Sequence, residues 1–218
     1  MNINREEIKQ YLKNFDPEHF TEEDVDVFVS EINIGNTLPD FNWETGATKC
    51  VIIPEERDYV IKIPFDGEMD YYEERQFRYF YNGGGEDGWD YCLLEQEYFI
   101  EYIEGTGFEK FFLVPETIEI EKDWPVYVQE KVLPYLESEG KEYKSVKSLY
   151  TVRTSGISHQ ISIPEEWLAV CLENLNNDVN KLQEFITFLK DNFSDLHSGN
   201  IGYKNGQAVI LDFGGFSH

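Results

Sequence analysis

What most constrains this chain is a run toward its C-terminal side that doubles back on itself. DVNKLQEFITFLKDN puts Leu182, Phe185, Ile186 and Leu189 on one stripe of a helix, with Asp178 as its cap. A polar run follows, Asp195-Leu196-His197-Ser198-Gly199-Asn200, and then a short hairpin around Lys204-Asn205-Gly206. The hairpin carries Ile201, Val209, Ile210 and Leu211 and ends on Asp212-Phe213-Gly214. Helix, loop and hairpin thus deliver two carboxylates and an amide to one place.

The rest of the chain supplies a sheet and further helices. Ile8, Tyr11, Leu12 and Phe15 share a helical face that stops before Pro17. Thr21 to Asp24 resembles a capping box, and Val25, Phe28, Val29 and Ile32 fit a helix, although Val25, Val27 and Val29 also alternate as a strand would. ATKCVII and DYVIKIPF read as a hairpin across PEERD, and NGGGEDGWD as a flexible loop. Residues 91–103 read as a helix with Glu95, Tyr98, Phe99 and Tyr102 on one face. TIEIEKDWPVYVQEKV is a second hairpin, broken at KDWP, in which Ile118 and Ile120 alternate with glutamates. After Pro134 the pattern becomes helical, with Pro164 near a helix start. The order predicts an α+β fold.

Charge narrows the partners. With 18 basic and 43 acidic residues the net charge is −25, which repels phosphate backbones and disfavours nucleic acid but attracts a protein with a basic surface. Cys50, Cys92 and Cys171 are scattered and odd in number, so they read as buried thiols of a reducing compartment rather than a zinc site or disulfide framework. No apolar run approaches the roughly twenty residues that span a bilayer. A cytoplasmic protein without a membrane partner is the expectation, in the host cytoplasm if the chain is viral.

Hard oxygen donors of this kind suit Mg²⁺ together with a carboxylate aimed at an attacking hydroxyl. In a plain turn the same polar groups would be incidental, with Gly199 and Gly214 serving only its bends. Asn200 follows Asp195 by five positions and Asp212 follows it by seventeen. In this order and spacing the motifs resemble the protein-kinase-like superfamily, especially its aminoglycoside and choline kinase branch and small phage or bacterial kinase-like proteins. Those families carry D-L-H-x-G-N catalytic loops and D-F-G or D-Y-G metal turns.

The resemblance implies a kinase-like two-lobed α+β fold. It places an antiparallel N-lobe sheet over residues 41–133, a mainly helical C-lobe over 134–218, truncated after D-F-G, and a helical extension over 1–40. ATP and Mg²⁺ are the implied cofactors. Asp195 becomes the catalytic base, and Asn200 and Asp212 the metal ligands. Lys62 takes the place of the V-A-I-K lysine on the phosphates; its plain alternative is a sheet edge. Glu95 orients that lysine, with Glu97 as runner-up. Gly46, Ala47 and Thr48 are backbone donors of the phosphate loop, with one glycine where the family has G-x-G-x-x-G, and the neighbouring Lys49 either assists or is solvated. Glu130 and Val132 offer backbone groups to adenine, and Gln129 limits the depth of its pocket. His197 touches the γ-phosphate or only hydrogen-bonds its own loop.

The chain departs from the family in several places. Phe193 and Ser194 stand where H-R-D would have its first two residues, and six residues follow Asp212 with no activation segment. Residues 134–177 have no counterpart; there YKSVKSLYTVR gathers Lys144, Lys147 and Arg153. Two roles remain open: an Mg-ATP-dependent phosphotransferase, or an acidic kinase-fold binding or inhibitor protein, a pseudokinase of phage type, that docks a basic partner.

Overall fold

The computed structural model describes residues 3, 5–11, 41–45, 49–64, 91–118, 126–140, 148–152, 161–193 and 196–213. The fold is α+β, in two compact units: Met1–Leu94 with Pro115–Lys131, and Glu95–Val114 with Val132–His218. The predicted elements over 12–40, the loop over 82–90 and Ile120 lie outside the described residues, as do Lys144, Lys147 and Arg153. No helix among the described residues is long and apolar enough to cross a membrane.

The first unit is built on an antiparallel sheet of β1 (Phe41–Thr45), β2 (Lys49–Pro54), β3 (Tyr59–Pro64), β4 (Glu116–Ile118) and β5 (Val126–Glu130). Its order is β1-β2-β3-β5-β4, so both predicted hairpins belong to one sheet and β3 is central. Residues opposite each other in an antiparallel pair share a face. Pairing of Ile52 with Ile61, Ile61 with Val128 and Ile118 with Val126 therefore gathers one apolar face, completed by Cys50, Tyr59 and Ile63. Helix α1 (Arg5–Tyr11) buries Ile8 in the same cluster.

A polar clasp fixes α1 to the turn after β2. Arg57 grips Glu7 with Nη2 to Oε1 at 2.8 Å and Nε to Oε2 at 3.0 Å, and the Tyr59 hydroxyl donates to Oε2 at 3.4 Å. Glu7 is buried. Arg57→Ala is expected to cost about 2 kcal/mol, the scale for losing charge-assisted bonds to a buried carboxylate. In denaturant melts, the Glu7→Ala, Arg57→Ala double variant should lose less than the two single losses summed. Strict additivity would mean the pair does not hold the helix.

The second unit contains β6 (Leu133–Pro134), α3 (Tyr135–Ser138), β7 (Ser148–Val152), β8 (Ile161–Pro164), α4 (Glu165–Asn174), α5 (Val179–Asn192), β9 (Ile201–Lys204) and β10 (Gln207–Ile210). It is less helical than the sequence suggested. Residues 134–177, read as helical, contain the antiparallel hairpin β7–β8, and β6 adds a strand to β9 and β10. The alternation in SLYTV and ISIP favours strands, but each run is too short to outweigh the surrounding pattern. Pro164 directly precedes α4, as predicted. Asp178 caps α5, its Oδ1 accepting from the backbone N–H of Asn180 at 3.0 Å and of Lys181 at 3.1 Å. Trp167, Phe185 and Leu189 are fully buried in this unit's core, and Leu182 and Ile186 pack against it.

Candidate functional site

The terminal hairpin sets the spacing of the metal-ligand candidates. Asn205 and Gly206 have φ of 50° and 80°, as a two-residue turn with both central residues left-handed requires. That turn pairs Lys204 with Gln207 and Ile201 with Ile210. The ladder runs one step further, because the Leu211 N–H donates to the Asn200 carbonyl at 2.7 Å. Asn200 and Asp212 therefore leave neighbouring strands at the same open end, and both are half-buried.

Asp212 is held from its other side as well. The Phe213 N–H donates to Glu95 Oε1 at 3.2 Å. The buried Phe213 ring meets Phe112 edge-on at 5.2 Å and Phe193 at 6.3 Å. Both chain neighbours of Asp212 are thus fixed through their backbone N–H groups, Leu211 on a carbonyl and Phe213 on a carboxylate. The hairpin brings one carboxylate residue and one amide residue, both half-buried, to the same end, and hard oxygen donors of this kind suit Mg²⁺ alongside water and phosphate. Asp195 lies outside the described residues.

Glu95 stands on α2 (Tyr91–Tyr98) with no exposed surface, whereas Glu97 is exposed. The two glutamates that the sequence left as alternatives thus differ in burial. The helix then widens into a π-turn over Phe99–Ile103, closed by the Glu104 N–H on the Phe99 carbonyl at 2.8 Å. This shift in phase buries Ile103, while Tyr102, expected on the Glu95 face, is half-buried and packs edge-on against Tyr98 at 6.0 Å. Glu109 braces the following loop, its Oε1 accepting from the Gly105 N–H at 2.6 Å and the Gly107 N–H at 3.2 Å. Backbone N–H groups, its own and that of Gly107 foremost, hold its carboxyl below the ordinary range.

His197 hydrogen-bonds its own loop, the second of its two expected roles. Its Nδ1 accepts from the Gly199 N–H at 3.0 Å, and its carbonyl accepts from the Asn200 N–H at 2.9 Å. A Cβ on Gly199 would lie 2.9 Å from His197 Cε1, so glycine lets the ring close over the turn.

In the first unit, Lys62 is 5% exposed on the central strand, which removes the sheet-edge alternative. Gln129 is buried on β5 and Glu130 is half-buried after it. Val132, in the second unit, is half-buried. Gly46, Ala47 and Thr48 lie outside the described residues. Lys49 is 7% exposed rather than solvated.

Two supporting residues carried no signal in the sequence. Phe112 forms a parallel bridge to Ile210, and the Leu113 N–H donates to the Ile210 carbonyl at 3.0 Å, bracing the hairpin. Asn174 at the end of α4 accepts from the Ala208 N–H at 2.8 Å and donates to the Gly206 carbonyl at 3.3 Å. The cysteines are buried thiols, as expected. Burial pushes the Cys50 thiol up to about 12 and raises that of Cys171 well above its ordinary value, making both poor nucleophiles and metal ligands. Compared with models of known protein families and with curated protein sequences, the chain matches none.

Proposed function

We propose that the chain is a kinase-like Mg-ATP-binding phosphotransferase of the cytoplasm, its first unit acting as an N-lobe and its second as a C-lobe. The observation that carries this reading is Asp212, placed beside Asn200 by the hairpin and bracketed by the Phe213–Glu95 bond. A structural turn has no need of a buried glutamate, more than a hundred positions away in sequence, to fix the residue after its aspartate. Asn200 and Asp212 would hold Mg²⁺, which when bound neutralises charge on the phosphates. Lys62 binds the phosphates and Glu95 orients it. Gly46, Ala47 and Thr48 cover the phosphates by their backbone, while Gln129, Glu130 and Val132 receive the base. Asp195 takes the proton of the acceptor hydroxyl as its oxygen bonds to the γ-phosphorus and the bond to the β-phosphate oxygen breaks, releasing ADP.

The test is a thermal-shift titration with ATP, with and without Mg²⁺. At a ligand concentration of 100 Kd, binding should stabilise the fold by about 2.7 kcal/mol, and by clearly less without the metal. A protein whose melting is indifferent to Mg-ATP would overturn the proposal. One observation favours a second reading, an acidic docking protein for a basic partner: the net charge of −25.

A further inference from the structure

We infer that Asn205 is a site of spontaneous modification, where the folded chain closes the side chain into a succinimide that opens to isoaspartate. The lesion loosens the hairpin that brings Asn200 and Asp212 to one end. The inference stands apart from the Mg-ATP reading. Asn205 and Gly206 are exposed at the tip of the β9–β10 turn, with φ of 50° and 80°. Around them the hairpin is clamped. Asn174 holds the Gly206 carbonyl and the Ala208 N–H, and Gln207 Nε2 donates to the Lys110 carbonyl. The peptide joining Asn205 to Gly206 lies between these anchors. Among the described residues, no hydrogen bond engages either of its groups, the Asn205 carbonyl or the Gly206 N–H.

That peptide can flip without disturbing the ladder. The two turns that suit a two-residue hairpin, types I′ and II′, both keep the first central residue at positive φ and differ by rotation of the central peptide. In type II′ the ψ of that residue swings to about −120°. This turns the Gly206 nitrogen toward the side-chain carbon Cγ of Asn205. The flipped turn is sparsely populated for a residue with a Cβ at its first position. Glycine at 206 takes either sign of φ and has no Cβ to block the approach. The Gly206 nitrogen, its proton lost to water, bonds to Asn205 Cγ; the Cγ–Nδ2 bond breaks and ammonia leaves. Water then adds to one of the two ring carbonyls. Opening at the α-carbonyl routes the chain through Cβ and Cγ, leaving an isoaspartate with an extra backbone atom and a new carboxylate. A turn of that length no longer sets Lys204 opposite Gln207. The pairing of Ile201 with Ile210, and the Leu211 bond to Asn200, depend on that match.

The experiment ages the full chain in mildly alkaline buffer beside a free peptide of residues 203–208. Mass spectrometry follows the change from amide to acid, localised to residue 205 by fragmentation, and enzymatic methylation identifies isoaspartate. This separates Asn205 from the Asn-Gly at 82–83, which lies outside the described residues. Residue 205 should convert in the folded protein within about tenfold of the peptide's rate, the scale of a strained but accessible turn. Conversion more than about a hundredfold slower would mean that the ladder locks the turn, and the inference fails. Asn205→Gly supplies the control, because a Gly-Gly turn suits both types and cannot form the ring. After ageing, the wild type should melt about 2–4 °C below its fresh form, the shift of a modest destabilisation in a chain of this length, while Asn205→Gly keeps its melting temperature. An equal fall in both proteins overturns the link between Asn205 and the hairpin. So does a wild type that carries isoaspartate at 205 and melts as before.

Discussion

An alanine at position 202 should destabilise the second unit by about 3 kcal/mol, the upper range for forcing an extra methyl into a packed site. Its Cβ would lie 2.6 Å from the Leu133 carbonyl oxygen and 3.3 Å from Pro134 Cα. Both neighbours are backbone, so no side chain can rotate out of the way. The strand cannot simply retreat, because the Gly202 carbonyl accepts from Trp167 Nε1 at 3.2 Å and Pro134 pairs opposite Gly202. Gly206 is the control. It also sits in this hairpin, but a Cβ there would meet nothing within 4 Å, and only its φ of 80° resists alanine. Gly206→Ala should therefore cost about 1–2 kcal/mol, the usual penalty of a left-handed backbone for a residue with a Cβ. Denaturant midpoints give both values. If the two substitutions cost the same, the contact between β6 and β9 is not as close as 2.6 Å implies. The site should feel the loss at Gly202 too, since β9 begins immediately after Asn200.

What was legible in the sequence was mostly local. The β2–β3 hairpin, the Asp178 cap, Pro164 before α4 and the turn at Asn205-Gly206 each depend on residues a few positions apart, whose preferences agree with one another. Choices that depend on distant partners were not legible. Glu95 and Glu97 both sit on a helix among apolar residues, and only the donor from Phe213 and full burial separate them. Whether Lys62 lies at an edge depends on strand order, which placed β5 beside β3. The same applies to Lys49, whose 7% exposure depends on parts of the chain far from it in sequence. Tyr102 packs on Tyr98 as the shared face implied, but the π-turn that buries Ile103 could not be foreseen from an α-helical period. The β7–β8 hairpin was lost for another reason: strands of five and four residues were submerged in a longer helical pattern.

The two aspartates of the site should respond to substitution in opposite ways. Asp212→Asn keeps shape and volume, and its flanking anchors are the backbone N–H groups of Leu211 and Phe213, which the substitution leaves in place. The fold should survive, while Mg-dependent ATP affinity falls by about a hundredfold or more, at least the loss seen when a metal ligand's outer partner is removed. Asp195→Ala should bind Mg-ATP nearly as the parent does, because in the proposed reaction that carboxylate serves the acceptor hydroxyl rather than the nucleotide. Phosphoryl transfer should nevertheless fall by about 10²–10⁴-fold, the range for a positioned general base. An Asp212→Asn protein that binds Mg-ATP as tightly as the parent would show the metal assignment to be wrong. The docking reading predicts a different pattern in the same assays. Under it both aspartate variants keep biological activity, and changing clusters of surface Asp and Glu to Asn and Gln weakens partner binding instead. Added salt would weaken that binding too, since exposed charges are screened beyond about 10 Å at 0.1 M. A folded Asp195→Ala protein that binds nucleotide yet has lost activity therefore excludes a pure scaffold, because nothing in a docking surface depends on that one carboxylate.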